Sequence, residues 1–528
     1  MDWCRHVVST ALVMLSFAGT ANALQLEEAT ISDLQSAYLR GEMTAHEAVA
    51  GYLARIEAYD KQGPYINSVI NLNPNALAEA DKLDAQLKAT GKLSGPLHGV
   101  VVLVKDNIDV VGMPMTAGFQ GWKNYQPSVD PLPIANIKAA GGIILGKASL
   151  SEFARGGADN INSVLPGFAR NPYNTAYATG GSSGGTGAAI ASSFATVGIG
   201  TDTGGSIRNP SAHNSLAGIR PTLGLVSRTG VVPLYSTRDT AGPMARTVHD
   251  AALLLSVMAG VDPEDAATLV AKEKKLVPVT GNLKKDALKG ARLGVFRQFF
   301  TPAMTDPRIL ARFEKTLVEL KAAGAELIDP FVVPEFDSLP RPGPTAARFK
   351  DDMTRWIAKH PGVPYPSVKA IADSKLVHPL HQAASDAAAE AGPVESDAET
   401  QRSLDNDKLF RAAFEKAMNS GKLDAFVMPV WLQLAVINGD RNTQKVATPV
   451  PGAAGGSAST TFAASILRWP AVVVPSGYVG PGLPVGLQIV GRAWDDAKIV
   501  DYAYSYEQAT HHRRPPPTVP PLGPQTVQ

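Results

Sequence analysis

Residues 180–210, GGSSGGTGAAIASSFATVGIGTDTGGSIRNP, decide how this chain is read. They hold two serine sites set among glycines, Ser182-Ser183 and Ser206, joined by small and apolar residues. Glycine frees the backbone for tight turns, and successive N–H groups in such turns can point at one spot and receive an anion. Upstream, residues 99–107 read GVVVLVKDN, an apolar run that ends on Lys105. Burial among apolar side chains disfavours the charged form of a lysine and lowers its pKa. Together the two segments imply a hydrolase that activates a hydroxyl without histidine.

Familiar short patterns compete for the same residues. Gly181-Ser182-Ser183-Gly184-Gly185 matches G-x-S-x-G, which in an α/β-hydrolase places a nucleophile, here Ser183, on a strand-to-helix elbow. The preceding NPYNTAYATG is polar and turn-forming rather than a strand, although His213 and His249 remain available as bases. Asp202-Thr203-Gly204 resembles an aspartic-protease loop, but the chain has no second such triplet to share a proton with. Residues 180–186 lack the lysine of a phosphate loop, and no strand feeds them. The remaining reading uses every piece: Ser206 after a glycine turn, backbone N–H groups as an oxyanion site, Lys105 as base and Ser182 as relay. Asp202 and Arg208 read as braces of the loop rather than reacting groups.

Residues 180–212 resemble the signature of the amidase signature family. Further landmarks are LHGVVVLVKDN (97–107), GKASLSE (146–152), Arg170-Asn171-Pro172, residues 218–232 and GLPVGLQIVG (482–491), so the resemblance spans roughly residues 30–510. In that family a lysine, a serine on a cis peptide bond and a nucleophilic serine form the triad, with the serines 24 positions apart as Ser182 and Ser206 are. The resemblance implies a single large α/β domain, with a mixed, twisted central β-sheet covered by helices. It also implies Ser206 as nucleophile, Ser182 as the cis-serine, Lys105 as base, and the backbone N–H groups of Thr203, Gly204, Gly205 and Ser206 as oxyanion donors. GMPMTAGF (112–119) resembles a substrate-site loop, which makes Met115, Thr116 and Phe119 candidate pocket residues; Ser183 is a fourth, and also a support for its neighbours. Two departures stand out. His213-Asn214-Ser215 replaces a usual Phe-Cys-Gly, and Arg220 replaces a usual lysine. Neither touches the triad; both point away from the tRNA-dependent amidotransferase subunit.

The expected activity is hydrolysis of a neutral amide (aryl, alkyl or C-terminal peptide amide) to acid plus amine or ammonia. An esterase or carbamate hydrolase on the same triad, or a non-catalytic binding protein on this scaffold, are the alternatives. No cofactor or metal is expected, since no HExxH or CxxC cluster occurs.

Composition bounds the partners. The formal net charge is +1 and no basic block is interleaved with aromatics, so a small-molecule substrate is expected rather than nucleic acid. The chain is expected to be a monomer or homodimer. At the N-terminus Arg5 and His6 precede an apolar stretch and Ala21-Asn22-Ala23, the layout of a cleaved export signal. Residues 1–23 are expected to be removed, leaving a periplasmic or secreted protein without stable membrane insertion. The only cysteine, Cys4, would leave with them, which suits an oxidising compartment. Residues 24–512 are then the catalytic domain, residues 334–400 a helical insertion near the substrate site, and residues 513–528 an extended proline-rich tail. Helix spacing over 34–59, with Thr44 as N-cap, and strand runs at 99–104, 142–146, 292–296, 424–429, 471–475 and 487–491 complete the layered α/β pattern.

Overall fold

Five consecutive residues of one strand set the architecture. In β2 (Val101–Lys105) every side chain is buried, and neighbours face opposite cores. Val102 and Val104 join one large apolar cluster, Val101 and Leu103 another. This is the period-two geometry of a strand covered on both faces, and it explains the unbroken valine run. The computed structural model describes residues 24–155, 165, 167–274, 283–339, 343–437 and 459–523. The export segment 1–23 lies outside the described residues.

Around β2 the described residues build one mixed eleven-stranded sheet. The other strands are β1 (Val69–Leu72), β3 (Ile143–Ala148), β4 (Val197–Asp202), β5 (Ala217–Arg220), β6 (Thr240–Ala245), β7 (Arg292–Val295), β8 (Glu326–Ile328), β9 (Ala425–Pro429), β10 (Ala471–Val479) and β11 (Leu483–Val490). Their order is β1-β3-β2-β4-β6-β5-β10-β11-β9-β7-β8. β2 pairs in parallel with both β3 and β4, which brings Lys105 and the end of β4 to the same edge of the sheet.

One face is covered by α1 (Ile31–Arg40), α2 (Ala45–Arg55), α3 (Ala76–Thr90) and, later in the chain, the short glycine-rich helix over Gly184–Ala191. Residues 34–59, read at helical spacing with Thr44 as an internal N-cap, divide at Gly41, whose φ of +67° caps α1. Thr44 then opens α2 with a capping box to Glu47, as its position predicts. The opposite face carries α4 (Leu132–Ala139). It also carries helices over Val248–Met258, Pro307–Ala322, Ala398–Ser420 and Asp496–Thr510. Within the expected insertion, three helices span Ala346–Ala358, Val368–Asp373 and Pro379–Glu390. Aromatic side chains of this region pack on the loop that follows β2: Trp356 stacks on Trp122, and Tyr365 meets Phe119 edge-on.

The described part of the tail is extended yet docked. Arg513 pairs with Glu28, Arg55 donates to the carbonyls of Val519 and Pro520, and Thr518 Oγ1 donates to the Pro172 carbonyl. A proline-rich strand has carbonyls with no ladder to use, and buried arginine satisfies them.

Candidate active site

The glycine-rich helix becomes α5 (Gly184–Ala191), and α6 (Arg208–His213) follows β4. The ends of β2 and β4 and the start of α5 converge on Lys105. Its Nζ donates to Ser182 Oγ at 2.7 Å and to Thr201 Oγ1 at 2.7 Å, and Asn107 Nδ2 donates to the same Thr201 oxygen at 3.1 Å. Lys105 is wholly buried and touches hydroxyls, not a carboxylate. Burial lowers its pKa to about 7, against the opposing pull of the Asp202 and Asp239 charges.

Ser182 sits on a cis Gly181–Ser182 peptide. Its carbonyl accepts from Ser151 N at 3.1 Å, and Ser183 N donates to the Ser206 carbonyl at 3.2 Å. The two serine segments are thus strapped directly to each other. Gly185 allows the close approach of α5 to the chain after β3: a Cβ there would lie 2.3 Å from the Ser149 carbonyl oxygen.

The loop 203–206 takes its shape from Asp202. That carboxylate accepts from Gly205 N at 3.0 Å, from Ile207 N at 3.1 Å and from the guanidinium groups of Arg208 and Arg220. Burial pushes its pKa up, but the two arginines outweigh it and hold Asp202 well below the usual carboxylate range. Asp202 and Arg208 are therefore braces, as the sequence predicts. Gly205 has φ +135°, and a Cβ there would meet Thr461 Oγ1 at 2.0 Å, so no larger residue fits. Thr461 Oγ1 in turn donates to the Gly204 carbonyl at 2.6 Å.

The four N–H groups expected to form an anion site therefore differ. The Gly205 N–H is committed to Asp202. Those of Gly204 and Ser206 meet no protein acceptor among the described residues. Ser206 itself is half-buried, in contrast to fully enclosed Lys105.

The other sequence-derived candidates are all buried or paired. Ser183 Oγ donates to the Thr201 carbonyl at 3.2 Å and accepts from Thr201 N at 3.3 Å, so its hydroxyl supports β4. No strand leads directly into it among the described residues, which removes the α/β-hydrolase elbow. Thr116 gives its hydroxyl to Asp106. Met115 and Phe119 belong to the aromatic cluster beneath the insertion helices. His213 ends α6, edge-on to Trp431, and burial drives its pKa down to about 4. His249 is paired with Asp250 on the first turn of its helix.

Four contributors escaped sequence reasoning: Thr201, Asn107, Thr461 and Phe462. Thr201 carried a signal, since it opens the TDTGGS run. Thr461 and Phe462, whose ring lies 3.4 Å from the Cβ position of Gly204, come from a segment 257 residues downstream of that glycine and carried none. No group of histidine, cysteine and acidic residues among the described residues could hold a metal, and no described helix is long and apolar enough to cross a membrane.

Residues 47–500 match the family described as Amidase. The chain is 33% identical to the peptide amidase of Stenotrophomonas maltophilia, covering 93% of this chain and 98% of that one, with a TM-score of 0.81. An amidase family protein from Bacillus anthracis str. Ames is 30% identical with a TM-score of 0.80, covering 93% and 92%. A glutamyl-tRNA(Gln) amidotransferase subunit from Synechococcus sp. (strain CC9605) is 31% identical over 91% of this chain and 96% of its own length.

Proposed function

This chain belongs to the amidase family, and from that premise we propose that it hydrolyses neutral carboxylic amides through an acyl-enzyme on Ser206, with Ser182 as relay and Lys105 as base. The observation that carries the reading is the 2.7 Å contact between Lys105 Nζ and Ser182 Oγ, in a site whose burial brings the lysine to about 7. A base is most effective when its pKa lies near the working pH.

Neutral Lys105 takes the proton of Ser182 while Ser182 takes that of Ser206. The Ser206 oxygen forms a bond to the substrate carbonyl carbon, and the carbonyl electron pair moves onto oxygen. The N–H groups of Gly204 and Ser206 stabilise that oxyanion, with Thr203 as a further donor. When the C–N bond breaks, the proton returns through Ser182 to the leaving nitrogen. Water then attacks the ester, gives a proton to the same relay, and releases acid and free Ser206.

Peptide C-terminal amides are the first substrates to test, because a peptide amidase is among the similar solved structures. Aryl and alkyl amides, esters and carbamates present the same carbonyl to the same centre. We also place the mature enzyme outside the cytoplasm, beginning at Leu24 after removal of residues 1–23; N-terminal sequencing of exported protein tests this, and a chain starting at Met1 overturns it. Ser206→Ala should abolish both turnover and fluorophosphonate labelling while the circular dichroism spectrum stays unchanged. Labelling that persists in Ser206→Ala would remove Ser206 as the nucleophile.

A further inference from the structure

We propose that Asp239 is the positioning residue of the oxyanion loop, holding it through Thr203 and thereby linking it to the insertion helix Ala346–Ala358 and the long helix that follows the insertion. The proposal rests on the assignment of residues 203–206 made above.

The loop has little of its own to hold it in place. Two of its four residues are glycine, and glycine gives up more conformational freedom on ordering than any other residue. Order must come from its flanks. Asp202 fixes Gly205 and Ile207, and Thr461 fixes the Gly204 carbonyl. The first residue, Thr203, is held by its side chain: Oγ1 donates to Asp239 Oδ1 at 2.5 Å. Asp239 stands just before β6, whose first residue, Thr240, faces Asp202 across the antiparallel β4–β6 pair. The bond therefore closes the sheet at the point where the loop leaves it.

Asp239 is itself fixed. It is buried, and its second oxygen accepts from Leu234 N and Tyr235 N, both at 2.9 Å. The turn 234–239 is gripped by both helices. Ser236 N and Oγ donate to Asp352 at 2.8 Å each. Tyr235 OH meets Ser403 Oγ at 3.1 Å, and Arg238 donates to Asp407 at 2.6 Å. A continuous set of contacts thus runs from these helices to Thr203, and the Asp239 carboxylate is the link that reaches the loop. Preorganised donors lose their effect when the shell behind them is loose.

The charged groups facing Asp239 are Lys105, Arg220, Arg228 and Asp352. Its negative charge raises the pKa of Lys105, so neutralising it must move the lysine further down. That shift follows from the charge alone, so the positioning role is read from kcat and from the Thr203 variants.

The test uses the mature full-length enzyme on one uncharged peptide amide. Asp239→Asn should lower kcat by roughly 10- to 100-fold, a share of the loss expected for a whole oxyanion donor, with KM within about twofold. It should also shift the acid limb of kcat/KM to lower pH. Thr203→Val should lower kcat without moving the limb, and Thr203→Ser should restore it. The double variant Asp239→Asn/Thr203→Val should be no slower than Asp239→Asn, because the two residues act through one bond. Wild-type kcat in Thr203→Val, wild-type kcat in Asp239→Asn, or additive losses in the double variant would each overturn the proposal. If Asp239→Asn does not fold, the Thr203→Val and Thr203→Ser pair decides alone. Ser206→Ala separates the two readings: turnover in that variant refutes the nucleophile, whereas a dead Ser206→Ala beside an unaffected Asp239→Asn refutes only the positioning role.

Discussion

Lys105 and Lys147 lie on adjacent parallel strands, one register step apart, and both are completely buried. Their surroundings differ in one respect. Lys147 Nζ lies 2.8 Å from Asp106 Oδ1 and donates to the Ile108 carbonyl at 2.8 Å. Lys105 Nζ meets the hydroxyls of Ser182 and Thr201, and no carboxylate among the described residues. Burial without a carboxylate in contact lowers the pKa of Lys105 to about 7. The same β-edge therefore offers an ion-paired lysine that braces the 106–118 loop and a second lysine poised as a base. Burial alone does not separate them; the identity of the neighbouring acceptor does.

Substitutions break this contrast in opposite directions. Lys105→Ala should lower kcat by about three or more orders of magnitude, as expected for a residue acting as a unit with its nucleophile. Thermal stability should hold, since no buried carboxylate loses its partner. Near-wild-type amide turnover in Lys105→Ala would remove the base. Lys147→Met should do the reverse. It strands Asp106 and costs about 3–5 kcal/mol by urea titration, while kcat per folded molecule stays within about tenfold. A stable Lys147→Met variant would show that the pair carries no such load. A smaller effect comes from the second hydroxyl on Lys105: Thr201→Val should cost kcat about tenfold, one hydrogen bond to a charged or reacting group being worth roughly 1.5 kcal/mol. An unchanged kcat in Thr201→Val would leave Ser182 as the sole partner that matters.

The contrast also explains how much the sequence discloses. The valine run ahead of Lys105, the two serines at their family spacing and the N-cap at Thr44 all depend on residues close in the chain, and all are legible. The role of Lys147 is not, because its partner Asp106 becomes a neighbour only through β2–β3 pairing. Asp239, Thr461 and Phe462 are hidden for the same reason. The loop 203–206 shows a subtler limit. Four consecutive N–H groups look equivalent in sequence, yet the Asp202 carboxylate captures that of Gly205. The tail is legible as extended from its prolines, while its anchoring by Arg55 and Glu28 requires sheet and helix to bring the two chain ends together.

The central claim is that Lys105 acts as a neutral base, and the pH dependence of kcat/KM on an uncharged amide tests it most directly. Above its pKa the lysine is deprotonated and can accept the Ser182 proton; below it the lysine is charged and cannot, so activity falls as the solution becomes more acidic. A single acid limb with a midpoint near 7 is expected, set by the burial of Lys105. A rate that stays flat down to about pH 5 would contradict it, because a lysine in this site would by then be fully protonated.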